Sequence, residues 1–227
     1  MSSSLTGRIS TIDSSICLPS PADSSADPPA DRVAVIACGA LSKDIGAIVE
    51  GRDWPVDVYP LPPLLHNRPE QIAAAVDAAV EELAGRYDRV AIAYADCGTY
   101  GALDEVCARR GLQRLPGLHC YDLYAGPERL RELFEEQPGT YLLTDFLVRS
   151  FERSVLQELG LDRHPELRDA YFAHYTRIVW LASNPDEDLR RRADTAAKAL
   201  CLPIVMVDVL HDRLESALSN ILSAPAT

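Results

Sequence analysis

Cys38, Cys97 and Cys120 each follow a short apolar run and sit in a glycine-bearing turn, in the stretches RVAVIACG, RVAIAYADCG and PGLHCYD. In a parallel α/β sheet the carboxyl ends of neighbouring strands share one edge, so cysteines far apart in sequence converge there. Thiolates gathered in this way are soft ligands, suited to zinc or iron and poorly suited to magnesium or calcium. The separations of 59 and 23 residues match no local zinc or ferredoxin spacing, so the fold has to assemble the site. Three thiolates with His119, which directly precedes Cys120, would satisfy tetrahedral zinc. Three thiolates alone would hold a four-iron cluster with one iron open to substrate, and the sequence does not choose between the two.

The neighbouring residues extend the site. Cys38 precedes a helix opening whose amide dipoles favour thiolate, the alternative being a small apolar residue packed under the turn. Gly39, Gly98 and Gly101 would allow a cluster or ligand to approach the backbone closely. His66, in LPPLLHNRPEQI, is a second candidate for the fourth ligand, or a proton shuttle. Beside it, Asn67 and Arg68 would orient an anionic substrate. TYLLTDFLVRSF places Thr144 and Asp145 at another strand end, as substrate contact and general base or as helix N-cap. Asp96, Asp145 and His66 are thus the candidates for proton transfer. A metal-free reading makes Cys97 a covalent nucleophile with His66 or His119 as base. Cys107 and Cys201 are expected in the core, and His164, His174 and His211 in structural roles at helix ends. Cys17 is expected to be an incidental thiol.

The elements that position these residues follow from periodicity. RVAVIA, VDVYPL, RVAIAYA, LQRLP, TYLLT, RIVWLA and PIVMVDV read as strands buried on both faces. Between them, helices are expected at 42–51, 69–87, 103–111, 127–136, 145–160, 165–175, 185–200 and 212–222. Ile72, Ala75, Val76, Ala79, Val80 and Leu83 form one apolar stripe, and Gly51, Gly85, Gly111 and Gly160 fall where left-handed caps would end helices. The predicted class is α/β, a doubly wound, mainly parallel sheet with helices on both faces, a Rossmann-like three-layer sandwich.

The 227 residues, 47% of them hydrophobic, suffice for one domain without disulfides. Residues 1–31, rich in Ser, Pro, Asp and Ala, read as a disordered arm, 32–222 as the domain and 223–227 as a tail. A net charge of -12 argues against nucleic-acid or anionic-membrane partners and points to a small-molecule substrate or another protein as partner. No run approaches a membrane span or a secretory signal, so a cytoplasmic location is expected, where six cysteines stay reduced. GxGxxG, GxxxxGK[ST], GxSxG and HExxH are all missing, which leaves dinucleotide oxidoreductases, P-loop NTPases, α/β-hydrolases and zincins without their signatures.

IACGAL, LLHNRPEQI, YADCGTYGALD, GLHCYDLYAG and TYLLTDFLVRSF together resemble the uncharacterised domain-of-unknown-function family 1638, over about 32–222. The family carries no established activity. Its association with corrinoid-dependent methyl-transfer gene neighbourhoods implies methyl transfer or one-carbon metabolism, with a corrinoid protein or methyltransferase as enzyme partner or as the partner of a non-enzymatic, metal-stabilised protein. No cobalamin-binding motif accompanies that implication.

Overall fold

The computed structural model describes residues 32–223; residues 1–31, Cys17 among them, and residues 224–227 lie outside the described residues. Six of the seven expected runs are strands: β1 (Val33–Ala37), β2 (Val56–Pro60), β3 (Arg89–Ala93), β4 (Thr140–Thr144), β5 (Arg177–Ala182) and β6 (Ile204–Asp208). Every residue of β1 is buried, which is why its sequence is apolar without alternation. β1 pairs in parallel with β2, Val33 opposite Val56, and with β3, Val33 opposite Arg89. β5 likewise lies between β4 and β6, with Val179 opposite Leu142 and Val205. The chain is an α/β protein of parallel strands and crossover helices, its strands divided between two sheets ordered β2-β1-β3 and β4-β5-β6.

LQRLP is a correction: it forms no strand, and only Arg114 bridges to Ile92. Ile92 donates to the Gln113 carbonyl and Leu115 to the Ile92 carbonyl, both at 3.1 Å. Pro116 then offers no amide, and Gly117, at φ 99°, turns the chain away.

The helices are α1 (Ser42–Gly51), α2 (Ile72–Leu83), α3 (Ala102–Arg110), α4 (Cys120–Ala125), α5 (Pro127–Glu136), α6 (Asp145–Arg149), α7 (Arg168–Tyr171), α8 (Glu187–Leu200) and α9 (Asp212–Ser223). α2 buries the expected stripe from Ile72 to Leu83 and is preceded by a 3-10 turn, Pro69–Gln71. Gly111 caps α3 in the left-handed region, whereas Gly51 stays helical and the left-handed step after α1 falls on Asp53. The helix expected over 145–160 stops at Arg149 and continues as a π-helical turn, Glu152–Gln157. Its cause is local: Ser150 and Ser154 hydroxyls donate to the carbonyls of Phe146 and Ser150, competing with the backbone ladder.

Because β1 has β2 on one side and β3 on the other, right-handed crossovers carry α1 and α2 to opposite faces of the first sheet. α1 packs with α9, and α2 with α3. In the second sheet the two-residue alternation divides the side chains. Leu142, Val179 and Leu181 join the core shared with the first sheet, while Leu143, Ile178 and Trp180 pack towards α6 and α8. α9 closes the first sheet with buried Leu214 and Leu218, and Arg89 donates to the Leu222 carbonyl.

Candidate functional site

At β1 the crossovers leave in opposite directions, and in open α/β sheets that reversal creates a crevice beyond the strands' carboxyl ends. Cys38 follows β1 directly and its amide donates to the Ala93 carbonyl at 3.1 Å, which extends the β1–β3 ladder to the lip of the crevice. Beyond β3, the amides of Asp96 and Cys97 donate to the carbonyls of Gly117 and Leu118 at 3.1 and 2.8 Å. These bonds sew the segment before α4 onto the Cys97 loop. Cys120 is therefore brought in by a helix start, correcting the expectation that it ends a strand. Cys38, Cys97 and Cys120 line one cavity of about 120 Å³ together with His66 and His119. Its other walls include Ile72, Tyr94, Tyr121, Phe146 and Leu147, and among the described residues no Lys, Arg, Asp or Glu lines it.

Burial dominates the three thiols. It pushes Cys97 up to about 12, aided by Cys38 and opposed by the Cys120 amide. Cys38 and Cys120 are raised for the same reason, and Cys120 is raised further by Cys97 and Cys38. The amides of Ala40 and Leu41 do approach the Cys38 sulfur, as its place before α1 implied, but desolvation outweighs them, so the expected lowering is corrected to a rise. Among the described residues, no group of three or more His, Cys, Asp or Glu side chains is arranged to hold a metal ion as they stand.

Asp96 is the organiser of the Cys97 loop. Its carboxylate accepts from the Thr99 hydroxyl at 2.7 Å and from the amides of Gly98, Tyr100 and Gly101 at 3.1 to 3.2 Å. Burial opposes ionisation, yet the Thr99 hydroxyl and those amides hold the carboxyl below its ordinary range. Cys97 and Tyr100 adopt φ of 53° and 52°, a conformation costing about 1–3 kcal/mol at each non-glycine residue, and Asp96 offsets it by gathering the loop's donors. Its saturated carboxylate positions the loop and is not a free proton acceptor.

The glycines serve packing. A Cβ at Gly39 would lie 2.3 Å from the Leu61 carbonyl oxygen, so Gly39 is what lets the chain carrying His66 pass over the Cys38 turn. Gly98 abuts the Pro69 ring, and Gly101 begins α3. His66 Nδ1 lies 2.6 Å from the Pro63 carbonyl. A carbonyl only accepts, so Nδ1 carries a proton, and in the neutral ring Nε2 is the nitrogen left with a lone pair. The ring stands edge-on to Phe146 at 5.9 Å. His119 is exposed at the N-cap of α4.

Asn67 and Arg68 do not line the cavity: both are exposed, and Asn67 donates to the Ser154 carbonyl at 3.1 Å. Thr144 lines it while capping α6, its hydroxyl 3.4 Å from the Leu147 amide. Asp145 is turned to the second sheet's loop. It accepts from the Trp180 indole at 2.8 Å, the Ser183 hydroxyl at 2.9 Å and the Asn184 amide at 3.0 Å, a tether and not a base over the cavity. Cys107 is buried as expected, whereas Cys201 is exposed at the C-cap of α8 with φ 54°, its sulfur 2.9 Å from Arg168. His164 precedes the 3-10 turn at Pro165, and His211 lies 3.7 Å from Asp44 just before α9, so both stand at helix entries.

Tyr94, Tyr121 and Phe146 were missed as lining residues. Tyr94 carries the one polar side-chain atom in the run VAIAYA, and Tyr121 directly follows Cys120, signals that distinguish them from the apolar core only in retrospect.

The model of one family, a protein of unknown function (DUF1638), matches residues 60–218. The chain belongs to that family. The stretch matched to DUF1638 contains His66, Cys97, His119 and Cys120, and begins after Cys38. No match was found among curated proteins or among solved structures.

Proposed function

We propose that this chain is a metalloprotein in which Cys38, Cys97 and Cys120, with His66 or His119 as fourth donor, bind zinc or an iron-sulfur cluster and act on a small molecule. The observation that carries the reading is the convergence of three thiols from three separate segments in one cavity with two imidazoles. Buried thiols crowded together resist ionisation, and a divalent or cluster cation reverses both the burial cost and the mutual repulsion. Binding draws the sulfurs together from their present positions and releases their protons. His66 is the preferred fourth donor, because an imidazole whose Nδ1–H is held by a backbone carbonyl presents Nε2 in the manner of metal-ligating histidines. Displacement of the imidazole by an incoming thiol would open one position on the cation and lower that thiol's pKa; methyl transfer to or from a thiol or corrinoid, with a corrinoid protein or methyltransferase as partner, is the reaction that the family resemblance implies for such a site. The metal-free nucleophile is disfavoured, since burial holds Cys97 near 12.

The test is anaerobic purification with zinc and iron counted per chain and the visible spectrum recorded, in the wild type and in Cys97→Ser, His66→Ala and His119→Ala. One zinc, or about four irons with a broad brown absorbance, lost in Cys97→Ser and weakened more in His66→Ala than in His119→Ala, supports the reading. A wild type that holds neither metal and takes up no added cobalt(II) overturns it.

A further inference from the structure

β2 and β6 are edge strands of their sheets, and the two edges are built differently. In a parallel pair, alternate residues turn their N–H and C=O groups to the neighbouring strand and the rest turn them outward. Val33 donates to the Pro55 carbonyl and Leu61 to the Ala37 carbonyl, so the outward residues of β2 are Val56, Val58 and Pro60. The Val56 carbonyl accepts from Arg32 at 2.9 Å, the Val56 amide donates to the Trp54 carbonyl, and Pro60 has no N–H. That edge is closed to a further strand. In the second sheet, Ile178 donates to the Pro203 carbonyl and Val209 to the Ala182 carbonyl, so Ile204, Met206 and Asp208 face outward from β6. Among the described residues no strand and no loop bonds to the backbone of these three. Pro203 faces inward and does not blunt the edge. Val205 is 45% exposed and Leu210, just past the strand, 70%.

Two charges beside this edge lack partners. Arg190, on α8, donates to the Met206 sulfur at 3.1 Å, and a thioether is a weak acceptor. Among the described residues Arg190 has no carboxylate partner and the Asp208 carboxylate has no partner of any kind. We propose that two copies of this chain join through β6, antiparallel and two-fold symmetric, with Met206 opposite Met206, so that their three-stranded sheets continue as one. This register uses every outward group: Met206 bonds to Met206 across the axis, and Ile204 to Asp208. Val205 then meets Val207 on one face. On the other, Asp208 of the second copy stands about 7 Å along the strand from Met206, within reach of the guanidinium that lies over that sulfur. The two carboxylates offset the approach of the two Arg190 side chains near the axis. The pairing is independent of any metal in the cavity.

Sedimentation equilibrium of the full chain at pH 7.5 is expected to give twice the chain mass at micromolar concentration. Met206→Pro removes only an outward N–H, leaves the ladder to β5 intact and should give a folded monomer, checked by circular dichroism. Val205→Lys, at an exposed position, should do the same and guards against a folding defect caused by the proline. Arg190→Glu and Asp208→Arg should each weaken the dimer about tenfold, and the double variant, with opposite charges again facing across the axis, should recover most of that loss. Amide exchange at Ile204 and Asp208 should be slow in the wild type and fast in Met206→Pro. A wild type that stays monomeric overturns the proposal, and slow exchange at those amides in that monomer would make residues 1–31 the occupant of the edge. A dimer that survives both Met206→Pro and Val205→Lys, or charge variants that do not rescue each other, also overturns it, since the contact or its register then lies elsewhere.

Discussion

The amide of Cys97 donates to the carbonyl of Leu118 at 2.8 Å, and through that bond a loop following β3 and the approach to α4 become one structure. The two cysteines flanking this bond depend on it for their proximity, and what fixes its acceptor side is Asp122. Its carboxylate accepts from the amides of Leu118 at 2.7 Å and His119 at 3.0 Å.

Asp122→Ala should therefore cost about 1 kcal/mol, as loss of a helix-terminal cap does, and loosen Cys120 relative to Cys97. The urea midpoint reads the first effect. Faster amide exchange at Leu118 and His119, with Cys38 unchanged, reads the second.

Gly39 and Gly46 make a matched pair for stability. Gly39→Ala forces a Cβ against the Leu61 carbonyl and the Pro63 backbone, with an expected cost of about 3 kcal/mol. Gly46 lies within α1 with open space around it, so Gly46→Ala should stabilise by up to about 1 kcal/mol. Equilibrium unfolding of the two variants should move in opposite directions; equal effects would mean that the His66 loop does not ride on the Cys38 turn.

The depressed pKa of Asp96 fixes a sign. Its folded pKa lies below the unfolded value of about 3.9, so its contribution is present above that value and is lost as pH falls through the folded pKa. Asp96→Asn should lower stability at pH 7 and flatten the acid limb below about pH 4. Urea midpoints measured from pH 7 to pH 3 in both proteins check this, since the other lowered carboxyls, Asp57 among them, contribute equally to each.

Thiol reactivity should follow burial. In metal-free native protein at pH 7.5, iodoacetamide should modify exposed Cys201 at least tenfold faster than Cys38, Cys97 or Cys120, read site by site by mass spectrometry. If the three bind a metal, loading at that pH should release about three protons per ion, measurable in a weakly buffered indicator solution.

Much of this was legible in the chain. β1 and β3 were visible because strands covered on both faces are written as unbroken apolar runs, and once two such strands are neighbours the positions of Cys38 and Cys97 follow. LQRLP deceived because its composition suits a strand while Pro116 and Gly117 end the pairing after one bridge. α4 was hidden because six residues are too few to show an apolar period; the trace left was Asp122, three residues after His119, in the place of a capping acid. The roles of Asp96 and Asp145 could not be told from sequence, since a carboxylate at a strand end serves equally as base or as tether. Only its count of donors decides.

α9 packs against β3 and α1, yet it is made after the whole of the second sheet. On the ribosome the first three strands would emerge with one flank of their core still bare, and the Cys38 and Cys97 turns would wait on a helix that has not been synthesised. The first half of the chain is thus a poor candidate for early independent folding, and its exposed apolar flank is the surface a nascent-chain chaperone would meet.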